Sequence, residues 1–529
     1  MEQRNVEILD TTLRDGAQAE GISFSVNDKF QILDTLVALG VRYIEAGNPG
    51  SNPKDREFYT SYQSRLPAMD QSLLAAFGST RRKGVAPEDD EGLKDLLNSG
   101  APVIVLFGKV WDMEVRDILR CTQKDNLAMI RDSIAWLYAQ GREVIFDAEH
   151  YFEARLASPA YALSCLQAAR EGGAAVICLC DTNGASMPET ISELTREAVA
   201  ELPGVRIGIH CHNDGGVAVA NTLAAVLAGA GHVQGTLIGI GERCGNANLS
   251  TVIANLQLKY DIAAIPSDRL ELLTPLSRKM ADIANISLPG NDPYVGASAF
   301  SHKGGMHVDG VKKNPATFEH VNPGTVGNSR RFLLSEISGR SAVLDIIHRV
   351  RPDIDRDAPE VARVLHKLKE MEHEGYQFEG AEASQELLVC KELGLYKPFF
   401  SLEKLRIASE QPRSGAFSAY TYIKIIVDGI GEATAAEGEG PVNAMDRALK
   451  RAMQVFYPQL TEVRLIDFKV RVINSEATAS KVRTLIESTD GQLIWNTVGV
   501  STDILEASWK ALVDSLEYKL MRRQLGWEE

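Results

Sequence analysis

The sequence predicts an α/β protein: a (β/α)8 TIM barrel, then a helical extension, then a C-terminal α/β domain. Three observations lead there. Eight short, mostly apolar runs recur through the first half of the chain, the stretches between them carry apolar residues at 3.6-residue spacing, and the pattern changes near residues 268 and 409. Runs rich in β-branched residues suit parallel strands covered on both faces, and strand–helix alternation over about 250 residues is the period of a barrel. A doubly wound open sheet is the competing fold.

The runs are Val6 to Leu9, Tyr43 to Glu45, Leu73 to Phe77, Val103 to Phe107, Val144 to Phe146, Val176 to Cys180, Ile207 to His210 and Val233 to Ile240. Helical text lies between them, for example from Asn27 to Leu39, Asp125 to Ala139 and Pro188 to Glu201. This gives a barrel over 1–267. Helical segments such as Glu271 to Asn285 and Ala358 to His373, separated by Gly, His and Lys-rich loops, make 268–408 an extension. Near Ser409 the linker-like run Glu410-Gln411-Pro412-Arg413-Ser414-Gly415 precedes strand-like text from Tyr420, so 409–529 reads as a third domain. Within it, GPVNA (440–444) and VSTDI (500–504) each open an amphipathic helix after strand-like text. Two small α/β units are the expectation, with a binding or assembly role.

The 529 residues carry 56 Lys plus Arg against 71 Asp plus Glu, a net charge of −15, with 44% hydrophobic residues. That composition argues against disordered, fibrous and membrane classes and lacks the basic footprint of a nucleic-acid binder. An anionic ligand must then meet a local cluster of positive charge. The start MEQRNVEILDTT has no basic region followed by an apolar run, and seven scattered cysteines form no CxxC pair, so a cytoplasmic protein with reduced, mostly buried thiols is expected.

Functional groups of a barrel collect just beyond the C-terminal ends of its strands. There stand Asp10-Thr11-Thr12-Leu13-Arg14-Asp15-Gly16, then Asp147, Glu149 and His150, then Asp181-Thr182-Asn183, His210-Cys211-His212-Asn213-Asp214 and Gly241-Glu242-Arg243-Cys244-Gly245-Asn246. Residues two apart on a strand face the same way, so His210 and His212 can reach one ion. Asp15, on a first strand adjacent to the eighth in a closed barrel, completes a set of two His and one carboxylate for Mn²⁺, Mg²⁺ or Zn²⁺. The alternative is a structural pair bonded to backbone. Arg14 is either a salt-bridge partner of Asp15 or a fork for an oxygen that gains charge during reaction. Glu149 either caps a helix or moves protons, and Cys178 with Cys180 reads as core packing. Such a site suits an α-oxo acid chelated to a metal. Ser301 to Asn314 (SHKGGMHVDGVKKN), with Arg330 and Arg331, is either a solvated loop or a base plus a cradle for a phosphorylated cofactor such as coenzyme A.

Together DTTLRDG (10–16), DAEH (147–150), HCHNDGG (210–216), GIGERCGNANL (239–249) and FSHKGGMHVDGVKKN (300–314) resemble the isopropylmalate, homocitrate and citramalate synthase family, metal-dependent enzymes that condense acetyl-CoA with an oxo acid. GEGPVNAMDRAL (438–449) and WNTVGVSTDILEASWKAL (495–512) are similar to that family's regulatory domain. The texts LRDGAQAEGISFS (13–25), EAGNPGSNPKD (45–55) and FGKVWD (107–112) look most like the branch that uses pyruvate on a route to isoleucine. The resemblance implies Asp15, His210 and His212 as metal ligands with Asn246 as a fourth group, and Arg14 stabilising negative charge. It further implies Thr182 on the oxo-acid carboxylate, Asn314 in substrate binding, and Glu149 and His307 handling protons, with His302 the alternative base. It implies a homodimer, an isoleucine effector, and no nucleic-acid or membrane partner. Phe318 stands where many relatives have Tyr, so one implied hydroxyl contact is absent. The rivals are the leucine-pathway branch that uses 2-oxoisovalerate, an acyl-CoA lyase, and a non-catalytic amino-acid sensor.

Overall fold

Eight parallel strands close on themselves in chain order: β1 (Glu7–Asp10), β2 (Tyr43–Glu45), β3 (Leu73–Ser79), β4 (Val103–Lys109), β5 (Glu143–Glu149), β6 (Val176–Asp181), β7 (Arg206–Cys211) and β8 (His232–Gly235). β1 pairs with both β2 and β8, which makes the barrel and excludes the open sheet. The computed structural model describes residues 4–65, 73–302, 305–332, 340–378, 380–410, 418–473 and 480–526. Lys303 and Gly304 of the candidate cradle lie outside them, as do residues 411–415 of the candidate linker.

Local rules set the helices between strands. Ser25 and Asp28 form a capping box at the start of Val26–Leu39, and Thr122 with Asp125 does the same for Gln123–Ala139. Pro188 opens Pro188–Glu201 at a position where its missing N–H costs nothing. Outward-facing residues such as Ile8, Ile44, Ile104 and Ile177 pack beneath these helices, while Leu9, Tyr43, Ala75, Val103, Val105, Ile145 and Val176 fill the barrel floor. Above that floor the inward series turns polar, with Glu45, Asp147, His210 and Gln234 all buried. That switch is what makes one end of the barrel chemical.

At the other end, Tyr43 donates to Glu143 (2.8 Å) with Glu7 3.3 Å from the same hydroxyl, and His232 lies 5.6 Å from its ring with neither imidazole nitrogen hydrogen-bonded. Burial, with help from Arg206, pushes the His232 pKa from 6.5 down to about 3. Below pH 6.5 the unfolded chain therefore gains a proton that the folded chain refuses until about pH 3, so stability falls as pH drops through that window. His232→Leu is expected to remove this loss, worth up to about 1.4 kcal/mol per pH unit, in denaturant melts at pH 7 and pH 5. An unchanged pH slope would refute it.

The chain divides into two compact units, 1–301 with 319–331 and 302–318 with 332–529. The second unit contains helices Gly305–Lys313, Arg340–Val350, Pro359–Glu374 and Glu382–Glu392, then two similar modules. Each module is a three-stranded antiparallel sheet followed by a helix: Ser401–Glu410, Ser418–Val427 and Ile430–Gly438 with Pro441–Gln454, then Arg464–Val472, Val482–Thr489 and Ile494–Ser501 with Ile504–Gln524. The expected repeat is present. The first sheet, however, begins at Ser401 rather than after Ser409, because Ser401–Glu410 pairs antiparallel with the strand that starts at Ser418. Among the described residues no helix is long and apolar enough to cross a membrane.

Candidate active site and metal centre

The chain leaves β1 through a tight turn in which the Thr11 carbonyl accepts from the backbone N–H groups of Arg14, Asp15 and Gly16. This turn aims Arg14 and Asp15 over the barrel mouth. Glu45, at the end of β2, fixes the arginine: its Oε2 accepts from Arg14 Nε at 2.6 Å and from Thr11 Oγ1 at 2.6 Å. The guanidinium lies flat on Phe77, 3.9 Å from the ring centre, and reaches Asp15 Oδ2 at 3.1 Å. Burial works against the Arg14 charge, but Glu45 and Asp15 outweigh it and keep the group protonated.

β7 delivers the two imidazoles. His210 Nε2 and His212 Nε2 stand 3.4 and 3.7 Å from Asp15 Oδ2. The ligand atoms of the three residues all lie within 4.8 Å of one another, and all three side chains are buried. Asn246 is bridged to His212 by backbone, and its Oδ1 is buried without a hydrogen bond. A carboxylate oxygen and two imidazole nitrogens make a donor set for a divalent ion that takes oxygen and nitrogen ligands. The residues fit such an ion.

The tautomer follows from the layer beneath. Gln234 on β8 donates its amide to Asp147 Oδ1 (2.8 Å), so its carbonyl oxygen faces His210 Nδ1 at 3.0 Å. Nδ1 then carries the proton and Nε2 keeps its lone pair for a ligand role. Burial pushes the Asp147 pKa up to about 7, with Glu45 adding to it. Burial above all pushes His212 down to about 4, which keeps it neutral at neutral pH. Asp15 goes the other way: burial opposes its charge, but Arg14, His210 and His212 hold it well below the usual carboxylate range.

These groups line a cleft of about 230 Å³ with Phe77, Phe107, Glu149, Thr182 and Arg243. Glu149 ends β5 and is ion-paired with Lys109 of β4 at 2.6 Å; the same ammonium meets Glu114 at 2.9 Å. Glu149 thus is not the helix cap that its spacing allowed. His150 follows in the left-handed region (φ +57°), and its N–H donates to Thr182 Oγ1 at 2.8 Å, which leaves the threonine hydrogen to donate into the cleft. Arg243 closes the rim, paired twice with Asp214 (2.9 and 3.0 Å) and donating to the Thr182 carbonyl.

The structure therefore brings together Arg14, Asp15, Glu149, Thr182, His210 and His212 on one cleft, with Asn246 paired by backbone to His212. His302, His307 and Asn314 belong to the second unit. There His307 stacks on Phe318, ring centres 4.2 Å apart, and Asn314 accepts from Ala316 N. Of the charges expected to cradle an anion, Arg330 is spent on a bidentate pair with Glu319, and Lys313 is paired with Asp309. Sequence reasoning gave no role to Glu45, Lys109 and Gln234. Each sits on a strand at an inward or rim position, so strand parity was the signal that could have found them.

Comparison with known proteins adds relatives to this geometry. A model described as HMGL-like matches residues 5–272, one described as homocitrate synthase post-HMGL domain-like matches 294–376, and the LeuA allosteric (dimerisation) domain matches 379–520. The (R)-citramalate synthases of Aquifex aeolicus and Geobacter sulfurreducens are each 47% identical to this chain over 98% of it and 98% of their own lengths. The 2-isopropylmalate synthase of Pyrococcus furiosus is 31% identical over 97% of this chain and 99% of its own. Among solved structures, the HMG-CoA lyase of Bacillus subtilis aligns at 20% identity and TM-score 0.47, covering 54% of this chain and 96% of that one.

Proposed function

The chain belongs to the HMGL-like family and within it groups with the (R)-citramalate synthases, and from that premise we propose that it condenses acetyl-CoA with pyruvate and water to (R)-citramalate and CoA. The observation that carries the reading at the level of chemistry is the convergence of Arg14 with the Asp15, His210 and His212 donors on one cleft. Asp15, His210 and His212, with Asn246 as a fourth group, would hold a divalent cation (Mn²⁺, Mg²⁺ or Zn²⁺), which would polarise the oxo-acid carbonyl. Arg14 is the fork that stabilises negative charge as it develops on that oxygen, and Thr182 donates its hydroxyl hydrogen to the substrate carboxylate. Glu149, held at the rim by Lys109, handles the proton of the acetyl methyl. His307 as its partner in proton transfer, and Asn314 in acetyl-CoA binding, rest on the motif they stand in. Hydrolysis of the thioester then makes condensation irreversible.

With Mg²⁺ or Mn²⁺ present, acetyl-CoA and pyruvate are expected to release free CoA thiol, read with a thiol reagent, with kcat/KM for pyruvate at least about tenfold above that for 2-oxoisovalerate. Equal or better use of 2-oxoisovalerate would sink the assignment in favour of 2-isopropylmalate synthesis. The division of labour we propose is chemistry in 1–267, contributions to the acetyl-CoA site from 268–408 and regulation from 409–529, in a cytoplasmic homodimer. Isoleucine is the proposed effector of the LeuA-type domain, so added isoleucine should inhibit the full-length enzyme. Insensitivity to isoleucine and leucine alike would remove that part of the reading.

A further inference from the structure

Beneath the cleft lies a second group of donors that the reaction above does not use. Asp147 and Cys178 are register partners on β5 and β6, and Cys180 follows two residues later on the same inward side. The carboxylate and the two thiols all lie within 4.8 Å of one another and are buried. Cys180 also lines the cleft, so the group has an entry from solvent. The cysteine pair by itself suits core packing; the third donor, contributed by the neighbouring strand, is visible only in the fold.

Donor chemistry separates this group from the one above it. Two thiolates and a carboxylate favour a thiophilic cation, whereas Asp15, His210 and His212 offer oxygen and nitrogen. Zinc–sulfur bonds of about 2.3 Å in a tetrahedral site place donor atoms roughly 3.8 Å apart, within small side-chain adjustment of the spacing here. The fourth position would face the cleft, and each thiol would give its proton to solvent on ligation. Occupation has a consequence for the upper site, because Asp147 is the acceptor that orients Gln234, and Gln234 orients His210.

We propose that Asp147, Cys178 and Cys180 form a second, inhibitory cation site for thiophilic divalent ions such as Zn²⁺ or Cd²⁺, acting by drawing Asp147 away from Gln234. The full chain, saturated with Mg²⁺, is titrated with Co²⁺. A near-ultraviolet sulfur-to-cobalt charge-transfer band is expected at one equivalent, present in Cys244→Ser and absent in Cys178→Ala; this arm does not depend on the reaction assigned above. In parallel, Cd²⁺ inhibition measured in excess Mg²⁺ should need roughly tenfold more ion in Cys178→Ala, whose activity without Cd²⁺ is unchanged. No band in the unsubstituted chain, or a band that survives in Cys178→Ala, overturns the site. Equal Cd²⁺ inhibition of both proteins overturns its inhibitory role. Circular dichroism checks the fold of Cys178→Ala, and Cys178→Ser replaces it with the same readouts if the alanine variant fails to fold.

Discussion

Arg14→Lys is expected to lower kcat for CoA release by about 10²–10³-fold, the loss typical of one preorganised donor at a developing oxyanion. Lysine keeps the positive charge but not the planar fork. In the protein the guanidinium makes three contacts, Nε on Glu45, Nη1 on Asp15 and Cζ over the Phe77 ring, with only 13% of the side chain exposed. A lysine ammonium can satisfy one of these contacts at a time. Because the lost interaction strengthens only as charge develops, kcat and kcat/KM for pyruvate should fall together. Mn²⁺ binding, followed by calorimetry, should persist in the variant, since the donor residues remain. Activity within tenfold of the parent would remove Arg14 from the chemistry.

The largest effect on stability is expected at Asp55. Lys29 is buried in the helix after β1, where its ammonium is paired with Asp55 and donates to the carbonyls of Ala46 (2.7 Å) and Leu13 (3.3 Å). Burial lowers the Lys29 pKa and Asp55 restores part of it. Asp55→Asn strands a buried cation, at a cost of about 3–5 kcal/mol. That corresponds to a drop of about 10 °C in the melting temperature of the barrel transition. Lys29→Met combined with Asp55→Asn should recover most of the loss, since the uncompensated charge is then gone. Leu13 and Ala46 adjoin Arg14 and Glu45, so the single variant is also expected to lose turnover. A calorimetric scan in which Asp55→Asn melts with the parent would refute this account.

Much of this architecture was legible in the text. Apolar runs marked all eight barrel strands, since a strand covered on both faces needs apolar residues on both parities. The candidate donors were legible because two histidines two residues apart and an aspartate stood at strand ends. Other parts were hidden for physical reasons. The eighth strand was expected to run to Ile240, but it stops at Gly235: Leu237 to Ile240 fold back so that Gly239, at φ +75°, can accept from Asn246 N. Strand Ile430–Gly438 is written IGEATAAEG, text of low β propensity whose conformation comes from pairing with Ser418–Val427. Strand Ser401–Glu410 is mostly exposed, and its apolar alternation is confined to Leu405 and Ile407, too short a signal to read as a strand. Glu45 and Gln234 looked ordinary because their importance lies in partners far away in the chain.

The seam of the barrel has a consequence for synthesis of the protein. Asp15 leaves the ribosome early, His210 and His212 late, and β8, which pairs with both β1 and β7, later still. A nascent chain that ends before β8 holds every charged or imidazole donor yet has no closed ring to bring them together. On the proposed ligand set, ion binding would thus be coupled to the last topological step of folding, and a cation would act as a latch on a finished barrel, stabilising it by mass action while giving no support to a partial one.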